Sequence, residues 1–516
     1  MEGRSAWAWR VGEALAWTAL FACLRALFGL FETGVLDPSP NFNGDTLFIA
    51  DVVRDLRSGG RLSDWNIPHA LFVLPDVLIW AVALCFTASV QQTMVFFGVL
   101  QICIGALLFR ILLVRQYGRG AALVGVAAFC LVLAFLARGE IREALNLVRP
   151  MHHFGVALTG FGAMLCMSWW FARPKADRLA VLALIIFLAC LSDPFSLTCV
   201  AAPIAAVPVL VALRTSVGRL QNLLATALLT GAAVAGNLFA RAFTSVGSDL
   251  GQLQPQRLGE QWGTLRLALS TLQWSAPDIL CGLALVLAPL LFLRGVKQLR
   301  TPGLGPVLDV VPLMAVVANE AALMVTGNMV PVLLNRYQVV IFAYLMLTLA
   351  RTAALLARWP RLLTMSAVLI SGTSAYFMWS QISGKPSHPI TQWAMPGTDC
   401  VVREAQARGA QRGLADIIVA RPLTMLNSAG IRFDPMENAL PRWWLATRRP
   451  YADLEPPVAF FVLSYLNHPS LVQERFGTPA EVVNCPPMQL WFWAPEQRAE
   501  VTRRLAALPV RTKEGH

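Results

Sequence analysis

Residues 37–68 have the sequence DPSPNFNGDTLFIADVVRDLRSGGRLSDWNIP and lie between the first long apolar segment and the next full-length one. This stretch is dense in carboxylates, in a chain whose charged residues total only 14%. Its aspartates are Asp37, Asp45, Asp51, Asp55 and Asp64. Carboxylates next to a membrane span are costly unless they face water or take part in function. We therefore predict a functional loop at one surface of a membrane.

The composition around this loop predicts a polytopic membrane protein. Hydrophobic residues make up 56% of the 516 residues, and the mean hydropathy is +0.57. Apolar runs of about 20 residues, the length that crosses a bilayer, recur along the chain. The net charge of +12 comes from short basic clusters between these runs, as the positive-inside rule expects. No basic stripe alternates with aromatic residues, so nucleic-acid binding is not expected.

The basic clusters also predict the topology. Arg4 and Arg10 precede the first span, which lacks a signal-peptide cleavage pattern and is expected to be a permanent signal-anchor with a cytoplasmic N-terminus. The apolar piece 76–88 is too short to cross hydrocarbon, so we expect an interfacial helix on the outer face. Counting it as a span would place the later basic clusters outside. The eleven predicted spans are 11–31, 91–113, 120–137, 152–172, 179–191, 195–213, 220–240, 276–294, 306–326, 330–350 and 362–380.

The C-terminal region differs in composition from the rest. Residues 385–516 contain many charges and no spanning segment, so we divide the chain into a membrane bundle, 1–384, and a soluble α/β domain, 385–516. Alternating apolar stretches predict strands at 458–465 and 488–494. Helices are predicted at 399–412, 469–475 and 496–507. The fold class is therefore mostly α, a polytopic helix bundle with interfacial helices in its first outer loop and a small outer domain.

Two cysteines stand apart from the other eight. Cys400 and Cys485 lie in the C-terminal region, whereas the rest lie in apolar segments, where thiols behave as small hydrophobes. In an oxidising compartment such a pair is a disulfide candidate, and two buried free thiols are the alternative. No CxxC, HExxH or EF-hand spacing occurs, so no metal site is predicted.

Asp45 is the first candidate for chemistry. It follows Gly44, which allows the chain to bend close to the membrane, and its carboxylate is suited to act as a general base on a hydroxyl. The alternative is that Asp45 is the N-cap of a helix over 46–58. Asp51 and Asp55 are four residues apart with Arg54 between them, a pattern typical of a solvated helix face.

Further candidates lie where the predicted spans meet the outer surface. The adjacent His152 and His153 begin a span, and imidazole there binds phosphate oxygens or carries protons, unless it only extends toward headgroups. Arg149 adds a charge that suits phosphate. The other candidates are Asp193 in an outer hairpin, the Arg336–Tyr337 pair, and Glu320 inside a span. An intramembrane carboxylate is a functional candidate, and its structural alternative is an ion pair with Arg336.

Together these features resemble the C-type (GT-C) fold of membrane glycosyltransferases. The resemblance rests on the signal-anchor, a large outer loop with an early Asp45 and an interfacial helix, the bundle of spans and the outer C-terminal domain. The pieces FVLPD at 72–76 and GLADIIVARPLTML at 413–426 are also similar to an uncharacterised bacterial branch of this group. The resemblance implies a multi-pass protein of the bacterial inner membrane, with its C-terminal domain in the periplasm.

The resemblance also implies an activity. Such enzymes transfer a sugar from a polyprenyl-phosphate carrier to a glycan, lipid or protein acceptor, and Asp45 matches their general base. Arg336 and His152 or His153 match carrier-phosphate contacts. A single displacement would invert the anomeric centre. No Walker or Rossmann sequence is present, so no nucleotide cofactor is expected, and a divalent cation at Asp45 stays open.

Two other classes remain open. One is a membrane acyltransferase in which His152 or His153 is the base. The other is a lipid or glycan transporter in which Glu320 and Arg336 are gating charges. Transporters often contain inverted repeats, and the two halves of this chain show no self-similarity.

Overall fold

The computed structural model describes residues 2–65, 67, 70–138, 142–243, 254–270, 275–326, 331–356, 360–441, 455–464 and 468–508. Within these ranges, nine helices are long and apolar enough to cross a membrane, as a multi-pass membrane protein requires. They are Trp9–Glu32, Val90–Tyr117, Phe154–Ala172, Leu197–Arg214, Arg219–Ala242, Ala276–Gln298, Leu304–Val325, Gln338–Leu356 and Leu362–Ile382.

The complete helices of the bundle run as follows. They are α1 (Glu2–Glu32), α2 (Phe48–Arg57), α3 (Leu78–Leu84), α4 (Val90–Tyr117), α5 (Ala122–Ala137), α6 (Phe154–Ala172), α7 (Ala176–Ser192), α8 (Ala202–Arg214), α9 (Arg219–Phe243), α10 (Leu258–Ser270), α11 (Ala276–Gln298), α12 (Leu304–Val325), α13 (Pro331–Leu356) and α14 (Pro360–Ile382). Short 3-10 turns Ser39–Phe42, Leu62–Asp64 and Arg142–Leu147 lie between them.

Two predicted spans correspond to helices that are slightly shorter than the nine candidate membrane helices. α5 has 16 residues and α7 has 17. Both belong to the bundle, since α5 packs against α1 and α14, and α7 packs against α6 and α9. A helix therefore occurs at each of the eleven predicted positions in the described part of the chain, and the exact number of spans stays a prediction.

The predicted interfacial piece at 76–88 is a short helix at one end of the bundle. A five-residue π-turn, Val73–Val77, leads into the seven-residue α3. At 1.5 Å of rise per residue, this segment spans about 18 Å, well below the hydrocarbon thickness. Trp80 of α3 is buried with its ring centroid 6.2 Å from that of Phe97 in α4. The segment is therefore shorter than the helices that could cross a membrane, and its interfacial position stays a prediction.

An ion pair between two fully buried side chains lies in the described part of the bundle interior. Arg351 of α13 donates to Asp309 of α12, and neither side chain is exposed. Arg351 also donates to the Gly305 carbonyl at 2.8 Å, and its guanidinium lies 5.4 Å from the Tyr117 ring centroid. The pair joins α12 to α13, and removing either side chain would leave an uncompensated buried charge.

The C-terminal region forms a six-stranded mixed sheet. Its strands are β1 (Arg412–Asp416), β2 (Arg432–Glu437), β3 (Leu440–Pro441), β4 (Phe460–Leu463), β5 (Glu481–Cys485) and β6 (Met488–Phe492). The order is β3-β2-β1-β4-β6-β5, with β1 parallel to β2 and β4 and the other neighbours antiparallel. The helices are α15 (Thr398–Ala407), α16 (Ile417–Leu426), α17 (Pro469–Phe476) and α18 (Pro495–Ala507). The predicted strands correspond to β4 and β6, and the predicted helices to α15, α17 and α18.

Apolar side chains cover both faces of this sheet. Phe460 of β4 packs on one face with Leu423 of α16, and Phe461 packs on the other with Phe476 of α17. This is the alternation that a strand between two layers requires. The predicted bridge joins Cys400 of α15 to Cys485 of β5, with Cα atoms 5.5 Å apart.

Candidate functional site

The backbone around Asp45 is held in a turn by a side chain. The Asn43 side-chain oxygen accepts hydrogen bonds from the backbone amides of Asp45, at 2.9 Å, and Thr46, at 3.0 Å. α2 begins only at Phe48, after Leu47, so Asp45 does not cap it as the alternative reading of the sequence required. The Asp45 side chain is half-buried.

The C-terminal domain lies directly against this turn. Arg421 of α16 is 8% exposed and donates to the Gly44 carbonyl. Its Nε also donates to Asp51 at 3.0 Å. A side chain at Gly44 would come within 3.0 Å of the Ile417 carbonyl oxygen, so glycine is needed for this close approach.

Asp51 therefore has a different role from the one its spacing suggested. It binds Arg54 on its own helix at 2.8 Å and Arg421 on α16, so it joins two parts of the chain rather than lying on a solvated face. Asp55 accepts a hydrogen bond from the Trp65 indole at 2.8 Å. Arg421 was not among the residues predicted from the sequence, although it is the lone arginine of the apolar piece 417–426.

His153 and Asp193 lie 40 residues apart and form a buried pair. The His153 Nδ1 atom is 2.5 Å from an Asp193 oxygen, and the side chains are 6% and 5% exposed. The second Asp193 oxygen accepts from the Phe195 amide at 2.9 Å. The rings of Phe72 and Phe195 flank the imidazole, with centroids at 5.7 and 4.8 Å. Two predicted site residues therefore meet at the start of α6 and the end of α7.

Asp76, which the sequence analysis did not select, belongs to the same cluster. Its side chain is buried beside Gly155, where an added Cβ would lie 3.1 Å from an Asp76 oxygen. Burial and the charge of Asp193 raise the pKa of Asp76 to about 8, although a hydrogen bond from the Met151 backbone opposes the rise. The sequence does contain an indication that Asp76 is unusual, because this aspartate begins the apolar segment 76–88.

The backbone of this cluster is strained. Phe72, Met151 and His153 have φ angles of 50°, 62° and 64°, in the left-handed region that side chains other than glycine seldom adopt. The Phe72 amide donates to the Ser192 carbonyl at 2.8 Å, and the Leu74 amide donates to the Ser192 hydroxyl at 2.7 Å. Clusters of such residues are common at functional sites, where the surrounding contacts maintain them.

Arg149 and His152 lie in the segment that leads into α6. Arg149 donates to the Asn146 side chain at 3.3 Å, and burial lowers its pKa to about 10, with Asp37 acting in the opposite sense. His152 directs Nδ1 to the Pro150 carbonyl at 2.8 Å. The adjacent histidines thus contact different groups.

Glu320 lies in the half of α12 that is nearer this cluster. Its neighbour Asn319 is buried and accepts a hydrogen bond from the Cys199 thiol at 3.2 Å. Cys199 belongs to a π-turn, Leu197–Ala201, whose carbonyl at Cys199 accepts from Tyr344 at 2.9 Å. The side chains of Arg336 and Tyr337 lie outside the described residues, so the Glu320–Arg336 pair stays a prediction.

These groups lie at one end of the bundle. The chain from the end of α1 to the start of α4 carries the Asp45 loop and Asp76, and it contacts Ser192 at the end of α7. The His388 amide, after α14, donates to the Glu32 carbonyl at 2.8 Å and brings the C-terminal domain to the same end.

Among the described residues, no group of three histidine, cysteine or acidic side chains is arranged to hold a metal ion. No protein-family model and no curated protein matches this chain.

Proposed function

We propose that this protein is a membrane glycosyltransferase that moves a sugar from a polyprenyl-phosphate carrier to an acceptor hydroxyl at the outer face of the membrane in which it lies. The observation that carries the proposal is the convergence, at one end of an apolar bundle, of the Asp45 turn, the Asp76–Asp193–His153 cluster and the C-terminal domain. A lipid-linked donor reaches such a site through the bilayer, and a water-soluble acceptor reaches it from outside.

Asp45 is the proposed general base. Its backbone is fixed by Asn43 and by the contact of Gly44 with α16, while its carboxyl is half-buried. Fixed geometry lowers the entropic cost of placing a base beside a substrate hydroxyl. The base removes the acceptor proton as the acceptor oxygen forms a bond to the anomeric carbon. The bond from that carbon to the phosphate oxygen breaks, and its electron pair leaves with polyprenyl phosphate.

A membrane acyltransferase is the second candidate, and the His153–Asp193 contact favours it. A histidine whose Nδ1 is bound by a carboxylate is the usual arrangement of an activated general base. In that case His153 would take the acceptor proton, and Asp45 would have no direct part in the reaction.

Asp45→Asn tests the first proposal against the second. The amide keeps the size of the side chain but cannot accept a proton, so release of polyprenyl phosphate from polyprenyl-phosphate hexoses or pentoses should fall by about 10²- to 10⁴-fold. Mass spectrometry of the lipid products measures this release. Asp64→Asn makes the same charge change in the same loop and should stay close to wild type.

An unchanged rate in Asp45→Asn would contradict the role of Asp45. Turnover of acyl donors, with no turnover of any sugar carrier, would replace the glycosyltransferase proposal by the acyltransferase.

A further inference from the structure

Asp76 has a buried oxygen for which the fold supplies no partner. The side chain is 3% exposed, and its Oδ1 makes no hydrogen bond within the part of the chain that the structure describes. Leaving a buried polar atom without a partner costs about 1 to 3 kcal/mol. Such an atom, next to residues with strained backbones, marks a place where a ligand would supply the missing contact.

The start of α6 lies against this carboxyl. No side chain caps the first turn of α6, since His153 at its N-cap directs Nδ1 to Asp193. Gly155, in that first turn, faces Pro75 and the other carboxyl oxygen of Asp76, Oδ2, which would lie 2.6 and 3.1 Å from an added Cβ. The amino end of a helix carries a partial positive charge and exposed amides, which suit an anion. A 19-residue helix therefore begins beside a buried carboxyl whose Oδ1 has no hydrogen-bond partner among the described residues.

The charges around Asp76 come from few groups. The π-turn that holds it packs against α3, α6 and α7. Neither α3 nor α6 contains a charged side chain, and the titratable group that acts on Asp76 is Asp193 after α7, which is in contact with His153 before α6. Cys190 lies near Asp193, while Asp177 and Arg178 lie in the first turn of α7, at its other end.

In these surroundings the carboxyl of Asp76 is mostly protonated at pH 7. Its pKa of about 8 results mainly from burial and then from the charge of Asp193. A neutral carboxyl donates a hydrogen bond, whereas a carboxylate would repel an anion.

We propose that Asp76 binds the phosphate group of the polyprenyl carrier by donating a hydrogen bond from its protonated carboxyl, at the amino end of α6. This inference rests on the proposed function for the identity of the ligand. Phosphate fits because it is the acceptor that a carboxyl donor, helix amides and the nearby imidazole of His153 recognise together. The sugar then leaves from a phosphate whose charge these groups already stabilise.

The proposal predicts a pH dependence with a defined sign. Binding needs the protonated carboxyl, so affinity is constant below the pKa of Asp76 and falls above it. With one linked proton, the dissociation constant rises about tenfold per pH unit well above pH 8. The phosphate remains a dianion above pH 7, since its second pKa is near 6, so its own titration does not produce the fall.

The experiment measures binding of farnesyl phosphate to the full-length protein from pH 7 to 9.5. Wild type should lose affinity above pH 8. Asp76→Asn should bind at all these pH values, because an amide donates a hydrogen bond without titrating. Asp76→Ala should bind at least tenfold more weakly than wild type at pH 7. Asp177→Asn, at the far end of α7, is the matched control and should follow wild type.

The inference would be overturned by the same alkaline loss in Asp76→Asn, by wild-type affinity in Asp76→Ala, by a flat pH profile in wild type, or by no binding of farnesyl phosphate by wild type. Farnesol, which lacks the phosphate, should not compete. Competition by inorganic phosphate at equal concentration would overturn the assignment to a lipid carrier. If Asp76→Asn does not fold, the wild-type pH profile still decides, since a flat profile contradicts the proposal.

This test is independent of catalysis. An enzyme that transfers no sugar but binds farnesyl phosphate as described would refute the proposed function and keep the site. Sugar transfer without any effect of Asp76 on phosphate binding would support the proposed function and refute the site.

Discussion

His153 adopts a left-handed backbone conformation that costs about 1 to 3 kcal/mol for a residue other than glycine. The conformation ends the preceding segment and directs the imidazole toward Asp193 instead of along α6. Because Asp193 is itself held by the Phe195 amide, the imidazole has one fixed orientation. The strain at His153 is therefore offset by a buried contact that fixes a functional group.

The two adjacent histidines provide a matched comparison. Asparagine tolerates the left-handed region better than most residues, so His153→Asn removes the imidazole with little extra strain. We expect His153→Asn to weaken farnesyl phosphate binding at least tenfold and His152→Asn to change it by less than threefold. Asp193→Asn should also weaken farnesyl phosphate binding, because it removes the carboxylate that orients the His153 imidazole. The double variant His153→Asn/Asp193→Asn should bind no more weakly than the weaker-binding single variant.

Fully additive effects of His153→Asn and Asp193→Asn would show that the residues act separately. Thermal unfolding of each variant in detergent is the control, since a purely structural pair would lower stability without changing the affinity of the folded fraction.

At the residue scale, the sequence predicted which residues are candidates for the site but not the contacts between them. His153 and Asp193 were both candidates because each lies at the edge of an apolar segment. Their pairing depends on the packing of α6 against α7 and on a left-handed turn, which no local pattern reveals. Asp76 was assigned to the start of an interfacial helix, and its burial arises from Gly155 and the Ser192 contacts.

At the scale of elements, the contact of α16 with the turn before α2 is the one that bears most directly on Asp45. Arg421 is planar and lies 5.6 Å from the Phe48 ring centroid while it donates to Gly44 and Asp51. A guanidinium can serve both acceptors and stack on a ring at once, whereas an ammonium cannot. Arg421 is thus a positioning residue for the turn that carries Asp45.

Arg421→Lys should separate positioning from folding. Lysine keeps the charge but cannot reach both acceptors in the same geometry, so kcat for sugar transfer should fall about tenfold or more with KM for the carrier nearly unchanged. Arg421→Ala should lower kcat further and also reduce thermal stability, because Asp51 loses a buried partner. Arg403→Ala, at an exposed arginine of α15, is the control.

A parallel rise in KM with constant kcat would contradict this role and place Arg421 in carrier binding. Loss of stability alone, with normal kinetics of the folded enzyme, would make it a purely structural contact.

Elements with long periodic patterns were the easiest to predict. Apolar length predicted the long helices, and even the 16-residue α5 was predicted because its residues are almost all hydrophobic. The short strands β1, β2, β3 and β5 were missed. β1 is buried at all five positions, including Arg412 and Asp416, so it shows no alternation to detect. The buried guanidinium of Arg412 forms an ion pair with Asp434 on β2, at 2.7 Å. This partner is brought close only by the pairing of the two strands.

At the scale of the whole molecule, the C-terminal domain is seated on the bundle and is not a loosely tethered module. Besides Arg421, the Trp393 ring stacks on Phe42 with centroids 4.6 Å apart, and Gln91 at the start of α4 donates to the Trp393 carbonyl at 3.3 Å. The sequence predicted a separate outer domain from composition alone. It could not predict this seating, since each contact joins residues that are hundreds of positions apart.

The disulfide should therefore stabilise the domain without taking part in the reaction. Cys400 and Cys485 are 85 residues apart in sequence, and their Cα separation of 5.5 Å is within the normal range. In the chain-entropy model, closing a loop of that length raises the free energy of the unfolded chain by about 4 kcal/mol.

We expect the double variant Cys400→Ser/Cys485→Ser to lower the unfolding temperature of the C-terminal domain by several degrees while farnesyl phosphate binding at low temperature stays at the wild-type level. Cys85→Ser, at an exposed free thiol, is the control and should leave both unchanged. Alkylation of Cys400 or Cys485 in the untreated native protein would show that the bridge does not form, and loss of binding with the domain still folded would show that it has a role beyond stability.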